Sequence, residues 1–321
     1  MRIGKLQALT LLLVCGFATS AAAEYPDRPI HLIVPQAAGS ATDTLARLLA
    51  APLGDELGQQ VIVDDRPGGA LTVGLDLTAK SPPDGYTICM GPIGALAITP
   101  HLVAQLPYDT ERDFQPIMAV TRGHLMLAVS PTTPFQTVAA LIAYAKQNPG
   151  KLSNASSSNG SPGHIGGELF KFMTGTEIVH VPYKGGAPAI NDLIAGRVQL
   201  MFESLNTMSS FARAGQIRAL GVSGEHRSAA FPDLPTIGET VPGYSAPTWS
   251  GVIAPAAVPK PIIAKLNAAM NKAIATPGFK EHIALVGDEP VGGTPEDFAK
   301  LIASDYKKWG DVIERAGIKF E

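Results

Sequence analysis

Ile30-His31-Leu32-Ile33-Val34-Pro35-Gln36-Ala37-Ala38-Gly39-Ser40-Ala41-Thr42-Asp43 is the stretch that decides the architecture. Its first five residues form the apolar run of a buried strand. A loop of small and hydroxyl-bearing residues follows. Leu45, Leu48, Leu49 and Leu53 then recur at helical spacing from Thr42 to Leu57, with Gly58 as the stop. A strand that turns through such a loop into a helix points free first-turn N–H groups, and the positive end of the helix dipole, at whatever occupies the loop. That is an anion site. The segment Ser153-Asn154-Ala155-Ser156-Ser157-Ser158-Asn159-Gly160-Ser161-Pro162-Gly163-His164 repeats the arrangement ahead of a helix over Gly166 to Met173. Two loops of this kind on two halves of a chain describe a clamp that grips a ligand from both ends.

The rest of the chain extends the pattern. Val61-Ile62-Val63 and Thr87 to Met90 read as strands. Arg66-Pro67-Gly68-Gly69 is a turn and Val73 to Ala79 a helix. Strands alternating with helices imply a mainly parallel sheet flanked by helices on both faces. Leu125 to Val129 opens a second α/β unit. It continues with a helix over Thr137 to Lys146, a strand at Ile178 to Val181, a helix from Ala187 to Ala195 and a strand over Val198 to Phe202. Arg218 to Val222 is a further strand and a candidate return crossing. Two tail helices, Pro261 to Ala275 and Thr294 to Ala316, need a sheet to pack on; Thr294-Pro295-Glu296-Asp297 is a helix start. The economical topology has the chain leave lobe 1 (24–125), build lobe 2 (126–245) and return to lobe 1 (246–321). A mature length of roughly 300 residues suits two such units.

Residues 1–23 read as a secretory signal. Arg2 and Lys5 precede the apolar run Leu9 to Phe17, which is too short to span a bilayer, and Ala21-Ala22-Ala23 offers a cleavage site. A lipoprotein signal at Cys15 is disfavoured by Val14, where a small residue belongs. Cleavage leaves Cys89 as the single cysteine, so no intrachain disulfide forms. Cys89 sits in the apolar run Tyr86 to Met90 and reads as a small core residue. The 25 basic and 28 acidic residues become 23 and 28 without the leader, a net charge near −5. That argues against nucleic acid as a partner.

Catalytic motifs are sparse. The chain has no phosphate loop, no dinucleotide fingerprint after the first strand and no His-Glu-x-x-His. Asn159-Gly160-Ser161-Pro162-Gly163 approaches a nucleophile elbow but lacks its first glycine, so an exported hydrolase using Ser161 is a remote alternative. His164 and Glu168 share a helix face without a third ligand in register, which is too few for a metal. His180 lies on a strand and reads as structural. No metal or cofactor is expected.

Across nearly the whole mature chain the sequence resembles the periplasmic receptors of tripartite tricarboxylate transporters, the Bug proteins. The resemblance runs through Arg28-Pro29-Ile30, Val34-Pro35, Gly39, Thr42-Asp43, Arg66-Pro67-Gly68, Asp84-Gly85-Tyr86-Thr87, Pro107-Tyr108-Asp109 and Asp113-Phe114-Gln115-Pro116. It is densest at His180-Val181-Pro182-Tyr183-Lys184-Gly185-Gly186-Ala187-Pro188-Ala189. Pro232-Asp233-Leu234-Pro235-Thr236, Pro242-Gly243-Tyr244 and Trp249 with Gly251 and Ala254-Pro255 complete it.

The resemblance implies a two-lobed periplasmic-binding-protein fold of the second type, closing on a di- or tricarboxylate, an amino acid or an aromatic acid. It implies a monomer that hands the ligand to one small and one large membrane subunit of the TctB and TctA kind. A sensor that presents ligand to a membrane kinase would use the same fold. On that basis the ligand-facing residues are Gly39, Ser40, Ala41, Thr42 and Asp43 in the first loop, and Ser156, Gly160 and Ser161 in the second. Gly91, His164, Tyr183 and Glu203 complete the set.

Three positions depart from the family pattern. Ser40 stands where a second glycine is usual, Gln36-Ala37-Ala38 replaces a proline- or aromatic-rich wall, and Glu203 replaces an aspartate. If Glu203 and Asp43 both face the cleft, a ligand bearing an amine or hydroxyl suits it better than a bare tricarboxylate.

Overall fold

A computed structural model describes residues 25–318; the leader 1–23 lies outside the described residues. The first part of the chain runs β1 (Ile30–Val34), α1 (Ala41–Leu57), β2 (Val61–Asp65), α2 (Thr72–Ala79), β3 (Thr87–Pro92), α3 (Thr99–Leu102) and β4 (Phe114–Gly123). The middle part runs β5 (Leu125–Val129), α4 (Val138–Gln147), β6 (Leu152–Ser156), α5 (Pro162–Thr174), β7 (Ile178–Pro182), α6 (Gly186–Ile194), β8 (Leu200–Ser204), α7 (Leu205–Arg213) and β9 (Arg218–Val222). The last part runs β10 (Thr248–Pro255), α8 (Lys260–Ala275), α9 (Pro277–Val286), β11 (Glu289–Gly292) and α10 (Pro295–Ala316).

These strands make two sheets. One has six strands in the order β11-β4-β10-β3-β1-β2, and the other five in the order β7-β6-β8-β5-β9. Helices cover both faces of each, because successive side chains on a strand point to opposite faces and nearly all are apolar. In the first sheet Ile30, Leu32 and Val34 pack under Leu45, Leu49 and Leu53 of α1 and Leu266 and Met270 of α8. Ile33 and Cys89 face the other way, with Leu75, Phe298 and Trp249. In the second sheet Met126, Ala128 and Met201 meet Ile190, Leu193 and Met208, while Leu127, Val129 and Phe202 meet Leu141, Ile165 and Phe170. Each fully buried leucine, isoleucine or phenylalanine contributes about 1.5–3 kcal/mol. Burial also pushes the Cys89 thiol up to about 12, leaving it an inert core residue.

The sheets are mixed, whereas the alternating pattern of the sequence points to mainly parallel ones. β1 pairs in parallel with β2 and β3, and β6 with β7 and β8. β10 lies antiparallel to both β3 and β4, and β5 antiparallel to both β8 and β9. The reason is connectivity. The chain leaves the first sheet along β4 and returns to it along β10, so these neighbours run in opposite directions. β9 is an edge strand of the second sheet, and the return is made by 223–247 rather than by β9 itself.

The outgoing and returning segments are stitched together by one side chain. Leu125 N–H donates to Ser223 Oγ at 2.8 Å, and the Ser223 hydroxyl donates to Ala246 C=O at 2.6 Å. Backbone bonds between Ser223 and both Leu125 and Ala246 close the same junction.

Candidate ligand-binding cleft

The two loops singled out by sequence end at capped helices. Ser40 is the N-cap of α1, its Oγ accepting the Asp43 N–H at 3.2 Å, and Ser161 is the N-cap of α5, its Oγ accepting the His164 N–H at 3.2 Å. Pro162 fills the first position of α5, where no N–H is needed. Gly39 takes φ +80°, the left-handed turn that a side chain would strain.

Between the two sheets lies a cavity of about 230 Å³, small for a ligand site. Ala41 and Thr42 of α1 line it from one side; Ser157 to Ser161, with Pro162, line it from the other. Of the remaining sequence-designated residues, Glu203 also lines it. Gly39, Ser40 and Asp43 stand behind the lining. The Asp43 carboxylate turns inward, accepting the Gly39 N–H at 2.7 Å and pairing with Arg47 Nε at 2.7 Å, so it braces the loop from beneath. Glu203 and Asp43 therefore do not share the cavity. Gly91 belongs to β3 and packs against Leu96, with Pro92 beside it on the lining.

Ser156, His164 and Tyr183 form a support behind the serine loop. Gly160 N–H donates to His164 Nδ1 at 3.0 Å, which places that ring's proton on Nε2, 3.9 Å from Glu168. Ser156 Oγ donates to Ser158 C=O and lies 2.6 Å from His180 Nε2. Tyr183 N–H donates to Ser156 C=O, and the Tyr183 hydroxyl donates to Asp192 at 2.8 Å.

Other lining residues are not among the ligand-facing residues expected from the sequence, although Trp249 lies in a motif of the resemblance. Ala70 and Leu71 adopt φ of +55° and +77°, strained for residues with side chains, and Thr99 Oγ1 donates to Ala70 C=O at 3.2 Å. Strain of this kind costs about 1–3 kcal/mol and gathers at ligand sites. The crossing strands supply Thr121, Gly123, Thr248, Trp249 and Ser250, and the tail supplies His282 and Asp288. Trp249 is fixed by its Nε1–H, which donates to Asp305 Oδ2 at 2.5 Å.

No lysine or arginine is among the lining residues. Positive potential in the cavity comes from the N-termini of α1 and α5. The negative groups are Glu203, whose carboxyl is raised above its ordinary range by burial against the opposing pull of the Ser204 amide, and Asp288, which burial and then Glu289 push up to about 7.

Residues 45–318 match the family model described as "Tripartite tricarboxylate transporter family receptor". The chain belongs to that family. BugT of Bordetella pertussis is 37% identical over 309 residues, 95% of each chain. Rpa4515 of R. palustris, solved with adipate, superposes with a TM-score of 0.85 at 38% identity over 92% of this chain and 99% of its own. The periplasmic binding protein BugD gives 0.82 at 31% identity over 92% and 100%. MatC from Rhodopseudomonas palustris, solved with malate, gives 0.81 at 28% identity over 90% and 100%. The two-lobed receptor fold expected from the sequence is therefore the fold of this chain, and receptors of this family are periplasmic.

Proposed function

We propose that this protein is an exported receptor that captures a small organic carboxylate between its lobes and passes it to a membrane transporter built from one small and one large subunit of the TctB and TctA kind. Residues 24–125 with 246–321 act as one lobe and 126–245 as the other. The observation that carries this reading is the convergence of two serine-capped helix N-termini, which follow strands of two different sheets, on one small cavity without a lysine or arginine. Such a site suits a carboxylate end-group, which needs oriented N–H and O–H donors rather than a full counter-charge. Relatives solved with adipate and malate support the same ligand class. Closure on the ligand would create the surface read by the membrane partner.

The site acts by binding, not by chemistry. Ser161 Oγ is committed to capping α5. The histidine nitrogens nearest the loop are committed to the Gly160 N–H and to Ser156, so neither stands as a base for Ser161.

The test is a thermal-shift screen of the protein lacking residues 1–23, unfolded and refolded to strip co-purified solute, against a panel of organic acids. A ligand at about a hundred times its Kd adds about 2.7 kcal/mol and raises Tm by a few degrees. A response confined to carboxylates is expected. Ester turnover abolished by Ser161→Ala, with no shift from any acid, would replace this reading with a hydrolase.

A further inference from the structure

Two helix N-termini provide for a carboxylate. Beside neutral hydroxyls and amides and His282, the remaining polar lining carries two carboxyl groups, Asp288 and Glu203. Asp288 follows the left-handed cap Gly287 at the end of α9, and its backbone N–H is held by Ile283 C=O at 3.1 Å. Its carboxyl rests directly on Gly123, so that any side chain at 123 would collide with Asp288 Oδ1, and the Thr248 hydroxyl converges on the same point. Gly123, Thr248 and Asp288 all line the cavity. Asp288 has no ion-pair partner among the described residues, and its charged neighbour Glu289 repels it.

The other acid has the same character. Glu203 Oε1 accepts the Ser204 N–H at 2.8 Å, while Oε2 is buried beside Ser157 and Gly186 without a hydrogen bond of standard geometry. The N-terminus of α7 also opens near the cavity, since Ser204 and Asn206 line it. That end is already faced by the Glu203 carboxylate, so it offers no second anion site.

We infer that the ligand bears one carboxylate and, at its other end, a hydrogen-bond donor (an amine or a hydroxyl), and that Asp288 is the residue that selects it. This rests on the carboxylate-receptor reading above. A second carboxylate set against Asp288 and Glu203, with no lysine or arginine on the lining, would be repelled unless a proton came between. An ammonium or hydroxyl would instead meet acceptors that lack a partner within the protein, and discrimination by buried unpaired groups is steep.

The experiment is calorimetric titration of the protein lacking residues 1–23, at about pH 8 so that Asp288 is ionised. Each of two diacids, succinate and adipate, is compared with the amino acid of equal length in which an amine replaces one carboxylate, and with the corresponding hydroxy acid. The expected result is that the amino or hydroxy acid binds at least about tenfold more tightly than its diacid. Asp288→Asn, which is nearly isosteric, should lower amino-acid affinity by about tenfold and raise that of the diacid. A diacid that binds more tightly than both of its partners, with a ranking that Asp288→Asn leaves unchanged, overturns this inference while leaving the receptor reading intact. If no carboxylate of any kind binds, the receptor reading falls and this inference falls with it.

Discussion

The imidazole of His164 lies flat on that of His180, with ring centroids 3.8 Å apart and planes inclined by 10°. Between them the two rings hold both ends of the serine loop, one through Gly160 N–H and the other through Ser156 Oγ. His164 must be neutral to do so, because a proton on its Nδ1 would remove the acceptor for Gly160. Burial, then His180 and Lys171, lowers His164 to about 3; burial, then Lys171, lowers His180 to about 4.

Acid should therefore destabilise the protein through this pair. The unfolded chain binds these protons near 6.5, the folded chain only near 3 and 4. Stability is fully present above 6.5 and declines as pH falls through the interval below it. Melting temperature measured from about pH 7 to about pH 5 should fall less steeply in His164→Gln/His180→Gln than in the parent. Equal slopes would show that the pair does not titrate on unfolding.

Asp43 touches no part of the cavity yet sets the shape of the first loop. Asp43→Ala leaves the Gly39 N–H without its acceptor in the protein and should cost about 1 kcal/mol in urea denaturation, with weaker ligand binding. Asp43→Asn keeps an acceptor for Gly39 but loses the Arg47 pair, half-exposed and worth little. It should stay close to the parent in stability.

Ser223 tests the junction between the lobes. Ser223→Ala strips an acceptor from Leu125 N–H and a donor from Ala246 C=O at a fully buried position. A loss of about 1–3 kcal/mol is expected. Because both segments it joins lead into the cleft, ligand affinity should also drop, which a purely local defect would not cause.

Trp249 lines the cavity, and the chain's second tryptophan, Trp309, is buried in the core. Ligand should change the indole emission, and Trp309→Phe should preserve the change. Its loss in that variant would mean that ligand perturbs α10 rather than the cleft.

Much of this architecture was written locally. The runs Ile30–Val34 and Leu125–Val129 are buried strands because nearly every residue is apolar, and Ser40 and Ser161 start helices because a hydroxyl two or three residues ahead of an N–H caps it. β4, β10 and β11 left weaker marks. Pro116, Thr121, Arg122 and Gly251 break the period of the first two, and the third is four residues long. α9 and α7 have short, mixed faces that acquire meaning only from what they pack on.

The sequence by itself determined the two α/β units, the two helix-capping loops and the family, since each follows from hydrophobic period, capping chemistry and motif order along the chain. Tertiary structure alone decided which side chains meet. Asp43 was a cleft candidate until the ion pair with Arg47 turned it inward. His164 was one until Gly160 claimed its Nδ1. Asp288, in the tail and without a motif around it, reaches the cavity because β11 returns beside β4 and sets its carboxyl on Gly123. Residues 165 positions apart come together through strand pairing across the sheet, and a contact of that range leaves no trace in local periodicity.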